Sequence, residues 1–309
     1  MTAAPAPTDS VLGQTTPTAE TTAMARKARR TAPRRTERRG GGAATRVVLA
    51  TPFALLVLLA VVGPSLANHD PERVTGSTSE APSGTHYLGT DSNGLDVFSR
   101  IVTAARLDMT LAISITVLTT VLGLVIGLLV ATGESRRGPL GWTARGAGRL
   151  VDMVQAVPIL IAGLTAASFF GRSPLVIVLA LSLSILPYQL RLMRTEVLWV
   201  RREGYVDAAR LSGEPTWTVL TRYVLPNAAR PTLENSSAVF GMAIIFTAGL
   251  GFLGVGIPLP RPEWGSMLAA GVSDALVGRW WSALFPAAAI GLSVLSAALL
   301  LSALSPRRR

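Results

Sequence analysis

The chain has 309 residues, 49% of them hydrophobic and 15% charged, with a formal net charge of +11 and a mean hydropathy of +0.44. Soluble domains carry about 25% charged residues, so this composition lacks the polar surface that a soluble protein of this length needs, and its hydrophobicity excludes disorder over most of the chain. There is no cysteine, which excludes disulfide frameworks, thiolate metal sites, iron–sulfur clusters and thiol catalysis.

Residues 1–45 are rich in Thr, Ala, Pro and Gly, with a basic cluster from Arg26 to Arg39. They read as a solvated, disordered cytoplasmic tail in contact with anionic lipid heads. No aromatic interleaving or folded basic domain accompanies the cluster, so nucleic acid is not an expected partner. The apolar run that follows ends in Ser65-Leu66-Ala67, which resembles a signal-peptide cleavage site. The run is long enough to span, however, and the basic region before it is too long for a leader.

That run, between Arg46 and Asp70, is the first of six without a charge. The others lie between Asp108 and Glu134, Asp152 and Arg172, Arg172 and Arg191, Glu234 and Arg261, and Arg279 and Arg307. Each reaches the length of about 18 residues at which a run reads as a membrane span. The sequence therefore predicts an all-α integral membrane protein with six transmembrane helices. The first helix and an extracytoplasmic loop occupy 46–106, a five-helix core 107–306, and a second basic tail 307–309. With both termini inside, 23 of the basic residues lie in cytoplasmic segments and six outside, so the positive-inside rule selects N-in, C-in.

The outer loop holds both histidines, His69 and His86, and the string Gly89–Asp96. That string lacks the bidentate Glu that closes a calcium loop. Within the spans, Gly123 and Gly127 have the spacing of a close helix contact. Pro158 and Pro187 predict kinks inside the third and fourth helices. Asp152 follows Arg149 by three residues, which predicts a local ion pair. Gln155 and Gln189 are candidates for lining a polar path.

The inner segment before the fifth helix is the most patterned. It runs Tyr205-Val206-Asp207-Ala208-Ala209-Arg210-Leu211-Ser212-Gly213-Glu214-Pro215 and reaches Tyr223-Val224-Leu225-Pro226. Two alanines favour a helix with a small-residue face. Gly213 sits where a helix end takes a left-handed residue, Pro215 suits the first turn of a new helix, and Pro226 punctuates the entry to the fifth span.

Asp207-Ala208-Ala209, then Gly213, then Tyr223-Val224-Leu225-Pro226 resembles the cytoplasmic "EAA loop" of ABC-importer permeases. There, Glu-Ala-Ala, three residues, Gly, nine residues and Ile-x-Leu-Pro recur; Asp here replaces Glu and Tyr replaces Ile. Leu88-Gly89-Thr90-Asp91 through Gly94, Asp96, Ser99, Arg100 and Ala105-Arg106 is similar to the outer segment of the "C"-type permease subunits of the dipeptide/oligopeptide/nickel family. Leu95 stands where that family usually has arginine. Arg149, Asp152 and Pro158 resemble the start of the family's third helix. Phe252–Gly256 and Pro262–Leu268 resemble its loop after the fifth helix, and Ala283–Pro286 its entry to the last. The resemblance covers about residues 45–306.

This resemblance implies a permease subunit that pairs with a second, homologous one to enclose a translocation path. It implies a coupling helix, with Asp207, Ala208, Ala209, Gly213, Leu225 and Pro226, docked on one of two cytoplasmic ATP-binding subunits. ATP and magnesium would be bound by those partners; no cofactor, metal or catalytic residue is expected in this chain. Gly89, Thr90, Asp91, Asp96, Glu263 and Trp264 would face an extracytoplasmic substrate-binding protein. The implied cargo is a peptide, with nickel or another small solute as the alternative. An ion-coupled secondary transporter is the rival class, but the spans carry no midplane charge or visible inverted repeat. Intramembrane proteases need a histidine within a helix, or His-Glu-x-x-His, and neither is present.

Overall fold

The computed structural model describes residues 43–134, 138–258 and 260–304, and the two expected basic tails fall largely outside them, at 1–42 and 305–309. Ala43–Thr45, assigned to the tail on composition, instead open the first helix, α1 (Ala43–Leu66). The long helix α2 (Val97–Glu134) follows the loop that was expected outside. Then come α3 (Pro139–Val154), α4 (Ile159–Phe170), α5 (Pro174–Val200) and the short α6 (Gly204–Leu211). A single turn α7 (Thr216–Thr218), a π-helical turn (Val219–Val224), α8 (Leu225–Glu234) and α9 (Ser236–Phe252) form one continuous helical path. Two further helices, α10 (Trp264–Leu276) and α11 (Trp281–Leu304), complete the fold. Among the described residues there is no strand, only one antiparallel bridge between Thr90 and Asp96.

Among the described residues, five segments are long and apolar enough to cross a membrane: Thr45–Leu66, Val97–Glu134, Pro174–Val200, Thr216–Phe252 and Trp281–Leu304. The predicted third span is broken. α3 and α4 meet at 88°, and α4 alone has 12 residues, about 18 Å of helix against a hydrocarbon core of about 30 Å. Pro158 causes the break. It was expected inside a helix, but it stands at the N-cap of α4 with φ −58° and ψ 133°, and its ring disfavours helical geometry in the residue before it. Pro187, in contrast, lies inside α5 as expected.

The bundle is organised on α2 and α5, which run parallel. A Cβ at Gly123 would come within 2.8 Å of Gln189 Cγ, and one at Gly127 within 2.8 Å of Met193 Cβ. The two glycines therefore serve close helix packing, as their spacing predicts. Gln189 is fully buried, donating to the Thr232 carbonyl at 2.8 Å and accepting from Asn235 at 3.0 Å. It ties α5 to the α8–α9 junction instead of lining an open path. Asp152 pairs with Arg191 of α5 at 2.8 Å, and Arg191 also donates to Gln155. The local Arg149 pair predicted from sequence is replaced by this tertiary one, because the bend brings the end of α3 against α5. Arg194 of α5 pairs with Glu134 at the end of α2, at 2.9 Å.

Two apolar clusters fill the interior. The larger joins Met109, Ile115, Leu181, Ile185, Phe240, Ile244, Leu250 and Trp264. The smaller lies at the far end of α2 and α5 and contains Ala131, Met193, Val197, Val200, Val206, Ala209, Val219, Val224 and Ala228.

Candidate functional site

The helix α6 is held to the bundle by the smaller cluster. Val206 and Ala209, one turn apart, are 0% and 7% exposed and face the chain's own interior. Burying the valine alone stabilises the docking by about 1.5–3 kcal/mol. Asp207 and Ala208 are exposed, and Arg210 reaches back to Asp207 at 3.4 Å. The two alanines therefore do not share a face: Ala209 is committed to the bundle and Ala208 to the surface. Tyr205, Leu211 and Trp217 are exposed large apolar side chains beside it, Leu211 at 90% and Trp217 at 73%.

The turn after α6 has a defined closure. Gly213 has φ +81°, its N–H donates to the Arg210 carbonyl, and the Glu214 N–H donates to the Ala209 carbonyl. This is the Schellman arrangement, which saturates carbonyls at a helix end. Glu214 then accepts from the Tyr223 hydroxyl at 3.0 Å, linking the turn to the π-helical segment. Leu225 is half-buried; Pro226 and Gly213 are exposed. Pro226 lies in the first turn of α8, which continues the helical path from the π-helical turn, so its missing N–H removes a backbone bond that an uninterrupted helix would make there.

At the opposite end, the residues expected to face outward mostly build the loop from within. Gly89, Thr90, Asp96, Glu263 and Trp264 are all buried, and Asp91 is half-buried. Asp91 Oδ1 accepts from the N–H groups of Asn93 and Leu95, closing a tight turn at Gly94. The Thr90 hydroxyl donates to the Ser77 carbonyl and accepts from the Glu80 N–H. Glu263 caps α10, accepting from Gly265 at 2.7 Å and Ser266 at 2.8 Å. Burial pushes its carboxyl above the usual range, and these hydrogen bonds offset part of that shift. The Trp264 N–H donates to Asp108 at 3.0 Å, and its indole N–H to the Ile101 carbonyl at 3.1 Å. Turned inward, these side chains hold the loops in place; the outer surface of the tight turn is made by Asp91, Ser92 and Asn93.

Two loops meet around Arg100, which donates to the carbonyls of Pro71 at 2.9 Å and Pro260 at 3.3 Å. An open cavity of about 650 Å³ lies beside it, lined among others by Glu72, Asp91, Arg100, Arg172 and Met267. It carries both signs of charge on an apolar floor.

Residues 123–309 match the family described as the binding-protein-dependent transport system inner membrane component. The chain belongs to this family. Among curated relatives of this inner membrane component, a di/tripeptide transport system permease protein of Pseudomonas aeruginosa is 34% identical over 78% of this chain and 80% of its own. A probable D,D-dipeptide transport system permease protein of Escherichia coli is 31% identical over 82% and 83%. A glutathione transport system permease protein of Pectobacterium atrosepticum is 32% identical over 78% and 79%. A solved chain from an amino acid ABC transporter with histidines overlays with a TM-score of 0.49 at 18% identity, covering 66% of this chain and 91% of that one.

Two features of this inner membrane component went unread in its sequence. The π-helical turn at Val219–Val224 has no signature in its own mixed composition of Val, Leu, Thr, Arg and Tyr, and such turns are rare interruptions of α-helices. The inward orientation of Glu263 had a faint one. An acidic residue three before Ser266 and directly before an apolar helix is a capping pattern, and Gly251 supplies the space opposite. A Cβ at Gly251 would collide with the Glu263 carboxylate.

Proposed function

We propose that this chain is the permease subunit of an ATP-driven importer of short peptides, forming half of the translocation path with a second, homologous subunit. Family membership and relatives named for peptide, dipeptide and glutathione transport support this reading. The α3–α4 pair counts as one bent span, giving six, and the excess of basic residues at the α6 end sets that end and both termini in the cytoplasm. In this arrangement α6 is the coupling helix, and two ATP-binding subunits and an extracytoplasmic binding protein complete the machine.

The observation that carries the proposal is the exposed face of α6. Tyr205, Ala208 and Leu211, with Trp217 beyond the turn, present apolar surface at an end of the bundle that the proposal puts in water, the mark of a docking site. Ala208 allows a partner's backbone close, while Val206 and Ala209 tie any movement of the helix to α2, α5 and the path into α9. ATP-driven approach of the ATP-binding subunits would displace α6 and with it the bundle.

The test is Ala208→Arg in cells that depend on this importer for a labelled dipeptide. Uptake should fall at least tenfold, the loss that about 1.4 kcal/mol of docking energy produces. Chain level and unfolding temperature should stay unchanged, and the ATP-binding subunit should no longer co-purify. Wild-type uptake by the variant, or uptake that survives ATP depletion, would overturn the proposal.

A further inference from the structure

The chain has two histidines in all, and the outer loop brings them together. His69 follows α1, His86 precedes the Thr90–Asp96 hairpin, and their rings stack with centroids 4.7 Å apart. Both address one carboxylate. His86 Nδ1 is 2.9 Å from Asp96 Oδ1, and His69 Nδ1 is 3.9 Å from Asp96 Oδ2. One ligand atom from each of the three residues lies within 4.8 Å of the other two. His86 and Asp96 are buried, at 5% and 1% exposure, and the His69 side chain is 28% exposed.

The hydrogen bonds in this cluster leave one buried nitrogen without a partner. The His86–Asp96 hydrogen bond occupies one carboxylate oxygen, while the His69 Nδ1 atom is buried and makes no hydrogen bond. A divalent ion satisfies all three groups at once. We propose that His69, His86 and Asp96 bind a divalent transition-metal ion of the zinc type, resident in the outer loop and distinct from any transported cargo.

The chemistry of the donors fits. Two imidazoles and a carboxylate suit zinc, with a fourth position left to water on the exposed side of His69. Donors about 2.0–2.2 Å from a shared tetrahedral ion sit roughly 3.3 Å from one another; here each imidazole faces its own oxygen of Asp96, at 2.9 and 3.9 Å, and the three residues offer ligand atoms within 4.8 Å of one another. The supporting groups are also in place. Glu80 Oε2 lies 3.9 Å from His86 Nε2, the ring nitrogen away from Asp96. Asp96 Oδ2 accepts from the Ser99 N–H at 2.8 Å, and the Ser99 hydroxyl accepts from the His69 backbone N–H at 3.1 Å. Partners of this kind fix the orientation of metal ligands. The ion would clip the end of α1 to the start of α2 and close the outer loop between them.

The experiment uses the full chain in detergent, purified through a tag without histidine, stripped with chelator and titrated with zinc chloride by calorimetry. Metal content is then measured after gel filtration. The wild type should retain one zinc per chain, and acidification from about pH 7.5 to about pH 5 should release it, since protons compete for imidazole. His69→Gln and His86→Gln should each weaken binding by at least about tenfold. His69→Gln leaves the His86–Asp96 bond intact, and its unfolding temperature without zinc should equal that of the stripped wild type. Zinc should raise only the wild-type value. No zinc retained by the folded wild type, or retention by both variants equal to that of the wild type, would overturn the proposal while leaving the import reading untouched.

Discussion

Gly213 shows how much a single position decides. Its φ of +81° closes the α6 turn, and a Cβ there would meet no other atom, so the requirement is backbone conformation and not space. A β-branched residue in that conformation costs about 1–2 kcal/mol. Gly213→Val should therefore open the turn and lower peptide uptake with the chain still in the membrane, whereas Gly213→Asn, which accepts the left-handed region, should keep most of it. Uptake assays on the two variants at matched chain levels check this, and equal uptake by Val and Gly chains would contradict it. The glycine was legible in the sequence because its conformational demand is local. The division of labour between Ala208 and Ala209 was not. Two adjacent alanines look alike until Val206 shows which side of the helix the bundle takes.

At the scale of elements, the α10 cap and the α3–α4 bend both depend on tertiary context. Glu263 is buried beneath the first turn of α10, where burial raises its carboxyl. The folded chain thus holds this proton more readily than the unfolded one. That contribution to stability grows as pH falls from above the folded value towards the unfolded one, the reverse of an ion-paired carboxylate. In Glu263→Gln the contribution is absent. The unfolding temperature of the wild type relative to this variant should rise on acidification from neutral pH, and a flat or falling difference would refute the assignment. The bend was half legible. Pro158 was visible, but a charge-free run says only that a segment is apolar, and the run between Asp152 and Arg172 takes in the last residues of α3, the break and the short α4 alike. Asp152 was likewise assigned to its sequence neighbour, and the bend gave it to Arg191.

For the whole molecule, composition and charge placement were the most informative sequence features, because a bilayer constrains apolar length more strictly than water constrains a soluble surface. Five of the predicted spans stand as continuous helices among the described residues. The absence of cysteine makes the proposed orientation directly measurable. In intact cells, a membrane-impermeant maleimide should label Ser92→Cys, on the exposed tip of the outer turn, and should reach Thr216→Cys, beside the exposed Trp217, only after permeabilisation. Labelling of both from outside would reverse or abolish the proposed topology. The outer residues were found by resemblance, and their burial adds a structural role that the resemblance did not imply. Sequence motifs mark what a loop requires, and five of the six sites require burial to hold the loop's shape.

The π-helical turn between α7 and α8 has a mechanical consequence. It accommodates one residue more than an α-helical turn does. If Val219–Val224 rewound as α-helix, every residue before it would swing about 100° around the helix axis relative to α8, carrying Trp217 to a different side. The Tyr223–Glu214 hydrogen bond joins the α6 turn to this wider winding, so the extra residue sets which side of the helix Trp217 occupies.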